Sequence, residues 1–557
     1  MIRRSRAALL AVLIGLPLCA GAQTLVSPND PVYRHLRSWE QRGLIDWLPP
    51  LRPLPAPLVR GALQRVAASE HETDRQIARR LLQRYFGALP VQGRAQVARR
   101  SKAPITSGGE AAVDASSAQL AVRLAAGIEL PVSDQIGVGF AVRTLATSVT
   151  PVPIAAELTL DPYDPGAPGD GTTILGEEFD VQVELAGTGF FGASDLGTGP
   201  GTWFVQAGFG RSSFGHGEDS PVVSAAAPPA GYLAGTYRAP WVAYSAMFLD
   251  LIATYGICSA ATKERGFCDS ERERYSLRTR ARKEQGFHPS KYLVAQSLSF
   301  YPTDWLELTA LQSVMFGGRL SPTYLLPVFP VLYTQMQLDD YDNAFVGAAA
   351  RVRLPYGASA SAVLFVDDVN LTKLRRFDFD SDQNKMAVDL EASIAPPLPI
   401  LTVLAARYRM VTPYMYAHHP SALDYLQYTN DGRHLGALLH PNSDEILVRA
   451  RAFPVAWLGV DLSLRRVRHG GPAGGSVWDH GLIDGTFVFT GPSTFLKQDV
   501  LEHLLQARAG IDLRVDLAPV ELNVALAYTY EQVRNRDWVR GADEQAHLIE
   551  VSTAVRY

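Results

Sequence analysis

Leu505-Gln506-Ala507-Arg508-Ala509-Gly510-Ile511-Asp512-Leu513-Arg514-Val515-Asp516-Leu517 is the stretch on which the reading of this chain turns. Every odd residue is apolar or small, and every even one is polar, charged or glycine. After a turn at Pro519 the alternation resumes. Val520, Leu522, Val524, Leu526 and Tyr528 oppose Glu521, Asn523, Ala525, Ala527 and Thr529. A third segment sets Ile549, Val551, Thr553, Val555 and Tyr557 against Glu550, Ser552, Ala554 and Arg556. A period of two means strands with two chemically different faces. A fully charged face opposite an apolar one, closing on an aromatic residue, suits a wall with lipid outside and water inside. The expected fold is an all-β transmembrane barrel.

The start of the chain agrees. Arg3, Arg4 and Arg6 precede an apolar run from Ala7 to Leu18, and Ala20-Gly21-Ala22 offers a small-residue cleavage site, so residues 1–22 read as a secretory signal peptide. Bulky Leu18 before Cys19 argues against a lipoprotein. Beyond it no run of 18 apolar residues occurs, so no helix is expected to span a bilayer. The net charge of -4 gives no hint of nucleic-acid binding. The mature chain holds Cys258 and Cys268, ten apart in a polar stretch. In an oxidising compartment they read as a loop disulfide, with two unpaired thiols as the alternative.

Three parts follow the signal. Residues 23–89 read as a small helical bundle. Asn29 or Asp30 caps a helix carrying Val32, Leu36 and Trp39 on one face, and Gly43 stops it. A Pro-rich connector from Pro49 to Pro57 precedes helices with Leu58, Ala62, Val66 and then Ile77, Leu81, Tyr85 at four-residue spacing. Residues 90–117, rich in Gly, Ala and Ser with Arg94, Arg99, Arg100 and Lys102, read as a flexible linker. Residues 118–557 repeat alternating segments around tight turns at Pro131, Pro302, Pro355, Pro397, Pro454 and Pro519. Two turns share one form, Tyr301-Pro302-Thr303-Asp304-Trp305 and Phe453-Pro454-Val455-Ala456-Trp457. Proline tolerates a hairpin tip but not a paired strand interior, and aromatics beside such tips suit a membrane-interface girdle. Long polar connections separate the hairpins, and the count is about 16–18 antiparallel strands. With the signal peptide, this asymmetry puts the long loops outside the cell and the helices in the periplasm.

Catalysis finds little support. Asp479-His480, and Ser213 with His216, lack a third group at a recognised spacing, and triads are geometric, so no enzyme is expected. Asp378, Asp380, Asp382 and Asn384 alternate as calcium loops do. Gln383 stands where such a loop needs glycine, and Asp389 rather than Glu closes the span, so a solvated acidic tip is the reading. His418-His419 lacks further ligands. No metal or cofactor is expected.

Two loops are richer. One holds Arg319, Tyr324, Tyr333, Tyr341 and Asp342; the other holds Tyr414, Tyr416, Tyr425, Tyr428 and Arg433. Aromatic faces beside carboxylates and arginine suit a sugar surface, because rings stack on C–H faces while polar groups bind hydroxyls. The same residues would equally serve as packing for loops of this length. The lumen rows mix Asp389, Glu391, Arg449, Arg451, Asp461, Arg465, Arg508, Asp512 and Arg514, which suits either a knitted interior or a narrow polar channel.

Short motifs carry a resemblance. Ser27-Pro28-Asn29-Asp30-Pro31 through Leu36, then Arg42-Gly43-Leu44-Ile45 and a Pro-rich segment, resemble the amino-terminal helical part of the Wzi-like capsule assembly family. Gly208-Phe209-Gly210 with Gly215-His216-Gly217, Ser224 to Pro229, Phe300 to Leu308 followed by Phe316-Gly317-Gly318, Asp342-Asn343 and Asp367-Asp368 continue it in order. The resemblance implies an outer-membrane barrel of about eighteen strands with a periplasmic helical bundle. It also implies a lectin-like role, holding capsular or exopolysaccharide at the cell surface. The Cys258/Cys268 loop has no counterpart in the family pattern, and the loops differ enough that no sugar-contacting residue carries over. The expected protein is a monomeric outer-membrane lectin whose partners are surface polysaccharide and lipid. The competing expectation is a porin or transporter for small polar solutes.

Overall fold

The computed structural model describes residues 28, 30–86, 92–104, 118–133, 136–148, 172–174, 177–191, 202–217, 219–253, 290–326, 330–338, 342–368, 384–396, 401–417, 426–430, 433–455, 457–471, 482–483, 486–487, 495–517 and 520–556. The expected signal peptide, Asn29, Cys258 and Cys268, Asp378 to Asp382, Pro397, His418-His419, Asp479-His480, Pro519, Tyr341, Tyr425 and Tyr557 lie outside the described residues.

Among the described residues, eighteen antiparallel strands close into one barrel, and a short strand, Thr172–Ile174, pairs with the start of the fourth. In chain order they are β1 (Gln92–Pro104), β2 (Ala118–Ser133), β3 (Ile136–Ser148), β4 (Glu177–Phe191), β5 (Thr202–Gly210) and β6 (Ala230–Arg238). Next come β7 (Val242–Ile252), β8 (Ser290–Thr303), β9 (Leu306–Gly317), β10 (Asn343–Arg353), β11 (Ala358–Asp368) and β12 (Lys385–Ile394). The last six are β13 (Leu401–Val411), β14 (Ser443–Val455), β15 (Leu458–His469), β16 (Glu502–Leu517), β17 (Val520–Arg534) and β18 (Glu544–Arg556). Each pairs with its sequence neighbour, and β1 pairs with β18 to close the ring.

The segment read as a linker therefore differs: residues 92–104 are a wall strand paired along its length with β18 and over 92–99 with β2. Its alternation is weak, since Arg94 and Gln96 oppose only Gly93, Ala95 and Val97. Without it β2 and β18 would present unpaired backbone to lipid, which no other element of the barrel could satisfy.

Side-chain parity follows the pattern read in the closing strands. Leu505, Ile511, Leu513, Val515, Leu526, Tyr528 and Ile549 are exposed on the outside, while Thr529 and Glu531 are buried within. One mouth carries the short turns, ringed by exposed Trp241, Trp305, Tyr356 and Trp457. Register shifts between Phe300 and Thr303 and between Ala452 and Val455 place Pro302 and Pro454 in bulges, where a missing N–H costs no ladder bond, while Pro131 stands at the edge of a third shift.

Three helices occupy the short-turn mouth: α1 (Val32–Gln41), α2 (Ala56–Ala67) and α3 (Glu72–Phe86). Asp30 accepts from the Val32 N–H at 2.9 Å to cap α1, and Gly43 ends it at φ 72°. The turn motifs grip this unit. Phe453 meets the His35 ring at 5.2 Å. Tyr301 packs with Trp47, which Arg351 and Arg353 cover at 4.6 and 3.6 Å. A short strand, Leu51–Arg52, pairs with Ser213–Phe214 from the loop after β5. Arg37 pairs with Glu391 at 2.6 Å, and Glu40 with Arg351 at 3.1 Å.

Candidate functional site

From the long-loop mouth, two connections fold into the lumen. Phe214 and Val223 bridge across the loop that follows β5, and the Ser224 N–H donates to the Leu435 carbonyl at 2.7 Å. The Tyr416 hydroxyl donates to the Pro221 carbonyl at 2.8 Å, and Asn430 Nδ2 to the Pro229 carbonyl at 3.0 Å. Lys291, fully buried, donates to Thr429 at 3.0 Å. Beneath these contacts lies an aromatic knot. Phe345 stacks on Phe365 at 5.1 Å, Tyr428 meets Phe345 edge-on at 4.8 Å, and Tyr416 lies 5.4 Å from Tyr428. Burial raises both tyrosine pKa values well above the ordinary phenol range.

The nominated sugar-binding residues thus separate. Tyr416 and Tyr428 are in the lumen core, while Tyr414 and Arg433 are half-buried in the same inward-folded loop. Arg319, Tyr324 and Asp342 come together elsewhere: the Tyr324 hydroxyl and Arg319 Nη2 donate to Asp342 Oδ2 at 2.7 and 2.9 Å. Tyr324 is buried, Tyr333 exposed, and Tyr341 and Tyr425 lie outside the described residues.

A second arrangement, in the lumen, is built from charge. Arg407 Nη2 pairs with Glu445 at 2.7 Å, and Arg465 holds the other oxygen of the same carboxylate. Arg409 Nε donates to Asp389 at 3.0 Å. Asp219, from the loop after β5, reaches in to Arg407 at 3.4 Å and Arg409 at 3.9 Å. Below it, between α1 and β12 to β15, is a cavity of about 90 Å³ whose lining carries Arg34, Arg37, Arg407, Arg449 and Arg451 against Glu391 and Asp461. Sequence parity had put Asp389, Glu391, Arg449, Arg451, Asp461 and Arg465 on the inner rows. Arg407 and Arg409 were missed, although Leu404, Ala406 and Tyr408 alternate with them. Asp219 and Arg34 had no local signal, because their partners lie far away in the chain.

Two histidines, buried His216 and half-buried His434, flank the lumen contacts. His216 accepts from or donates to Thr309 at 3.1 Å; its burial, reinforced by Arg351, lowers its pKa to about 4. His434, edge-on to Tyr416 at 4.7 Å, is lowered by burial to about 3. Both imidazoles are neutral at physiological pH and act as packing groups, not as charges.

No family model matches this chain, and no curated protein does. The fold has a relative among solved structures. It resembles the Escherichia coli barrel Wzi. The two superpose with a TM-score of 0.52 at 14% identity, over 96% of this chain and 99% of that one. Wzi is described as an outer-membrane, carbohydrate-binding β-barrel involved in group 1 capsule assembly. Acinetobacter baumannii OccAB2 scores 0.37 at 12% identity, covering 84% of this chain and 98% of its own. Pseudomonas aeruginosa OpdK with vanillate scores 0.39 at 12% identity, with 84% and 99% covered. The match to Wzi establishes the outer-membrane barrel fold over nearly the whole chain.

Proposed function

We propose that this protein is a non-enzymatic, monomeric barrel of the outer membrane, with long loops outside the cell and helices in the periplasm. It binds capsular or exopolysaccharide at the surface and aids its attachment or assembly. The observation that carries this reading is the filled lumen. One hydrophobic core runs from Val32, Leu36 and Trp39 of α1 through the inner wall residues Phe204, Leu293 and Phe345 to Tyr416, Tyr428 and Leu435 of the loops. A barrel packed from both mouths is suited to holding a polymer at its surface. The Wzi likeness supports the polymer class. Tyr414 and Arg433, half-buried in the plugging loop, are the nominated residues best placed to meet a sugar. Weak single contacts would gain from many copies on one chain of polymer.

A glycan array probed with purified protein tests this directly: acidic or neutral surface polysaccharides should bind, and Arg433→Ala with Tyr414→Ala should lower binding about tenfold. An array with no signal for the intact protein overturns the proposal. Loss of the gene should release polymer into the medium; unchanged attachment would count against it. The second reading, passage of a small polar solute, draws on the arginine-lined cavity beneath α1 and predicts stable open conductance in planar bilayers.

A further inference from the structure

Residues 318–326 and 330–338, between β9 and β10, turn back along the outside of the wall. Leu293, Ala295, Met315 and Phe345 belong to the lumen core. Their chain neighbours Val294, Val314, Phe316 and Ala344 form a separate buried cluster with Tyr324 and Val331 of that connection. Successive strand residues point to opposite faces, so the second cluster lies on the outer face. Parity from Leu308 and Phe300, both exposed, agrees. Tyr324 meets Phe316 at 5.0 Å, Phe316 meets Tyr292 at 5.4 Å, and Tyr292 stacks on Phe248 at 5.4 Å.

Two glutamines share this outer face. Gln296 Nε2 donates to the carbonyls of Tyr324 and Leu326 at 2.9 and 3.2 Å. Gln312 Nε2 donates to Gln296 Oε1 at 3.0 Å, and its own Oε1 accepts from the Val331 N–H at 3.1 Å. Gln312 stands seven residues along the strand from Trp305 in the short-turn girdle. At about 3.3 Å per residue and a tilt of about 40°, that is a rise of about 18 Å, inside an apolar band about 25 Å tall. Lipid offers no partner to an amide or to non-helical backbone. Here each satisfies the other. The face turned away from the wall carries Leu325, Leu326, Leu332, Tyr333 and Met336, the last 78% exposed.

We propose that residues 318–326 and 330–338 form a strap immersed in the membrane leaflet next to the long-loop mouth, with acyl chains as the partner of its outer face and the Gln296–Gln312 pair as its polar mooring. The helix Val331–Leu338 pairs part of its backbone internally while Gln312 accepts its first N–H, and the apolar side chains continue the belt formed by Leu308 and Val346. The inference rests on the barrel fold and stands or falls separately from the polysaccharide reading.

The test uses the full chain with its native cysteines replaced by serine, in lipid nanodiscs open on both faces. Leu332→Cys and Met336→Cys are compared with Tyr356→Cys at a short-turn tip, and heat-modifiable gel mobility reports the folded barrel. A membrane-impermeant maleimide should label the strap positions at least tenfold more slowly than position 356. A bimane at 336 should be quenched by brominated acyl chains. Equal labelling rates overturn the proposal, and slow labelling without quenching also overturns it, assigning the face to a second copy or another protein. Gln296→Leu with Gln312→Leu should raise strap labelling at least tenfold with the barrel intact; no change overturns the mooring role.

Discussion

His216 and Glu445 show how single residues carry the energetics of a filled barrel. His216 has its folded pKa lowered to about 4 from 6.5 by burial. Above pH 7 both folded and unfolded forms are neutral and the group contributes nothing to pH dependence. As pH falls from 6.5 towards 4, the unfolded chain takes up a proton that the folded chain refuses, so stability drops by up to about 3 kcal/mol. Chemical unfolding in micelles at pH 7.5 and 4.5 should show that difference shrink in His216→Gln; an identical pH response in both proteins would remove His216 from the account. Glu445 serves two arginines, Arg407 and Arg465, and is 1% exposed. Glu445→Gln leaves both guanidinium groups without their shared charge and should destabilise the barrel by about 3–5 kcal/mol, read from the same unfolding curves. Parity in the sequence placed Arg465 inside. That two arginines converge on one carboxylate was not legible, because β13, β14 and β15 meet only through the register of the wall.

At the scale of elements, the repeated turn motifs do two jobs. Their outward tryptophans, Trp305 and Trp457, stand in the girdle, while their inward aromatics, Tyr301 and Phe453, hold Trp47 and His35 of the helical unit. Trp47→Ala removes the ring that Arg351 and Arg353 cover, and the helical unit should loosen. Limited proteolysis of the membrane-embedded protein should cut within residues 42–57 about tenfold faster, with the barrel itself resistant; unchanged protection would mean that the ion pairs of Arg37 and Glu40 suffice. The turns at Pro131, Pro302, Pro355 and Pro454 were legible from proline, since a residue without an N–H favours a tip or bulge. The helices were legible from their four-residue spacing and the Asp30 cap. Strand β1 was not: with three small or apolar residues against charges and glutamine, its alternation is too faint to distinguish from a linker, and only closure of the ring demands it.

On the scale of the whole molecule, two independent plugs meet in one core. Removing residues 28–86 opens the short-turn mouth yet leaves the loops seated on Phe345 and Phe365. Planar-bilayer conductance should stay low in that deletion and in one lacking residues 413–440, and rise to a stable open level only when both are removed. A large conductance in either single deletion would show that one plug alone seals the barrel. Sequence by itself determined the class of the wall, because a period of two is a local property that each strand carries in its own residues. It also determined the turns and the helical unit, for the same reason. Only the tertiary structure decided which way the described long loops go. Two fold inward against each other, with Ser224 bonded to Leu435 and Tyr416 to Pro221; another folds outward onto two glutamines. Aromatic loops look alike until distant partners are brought beside them, and those partners are set by the closed ring of eighteen strands, not by any neighbour in the chain.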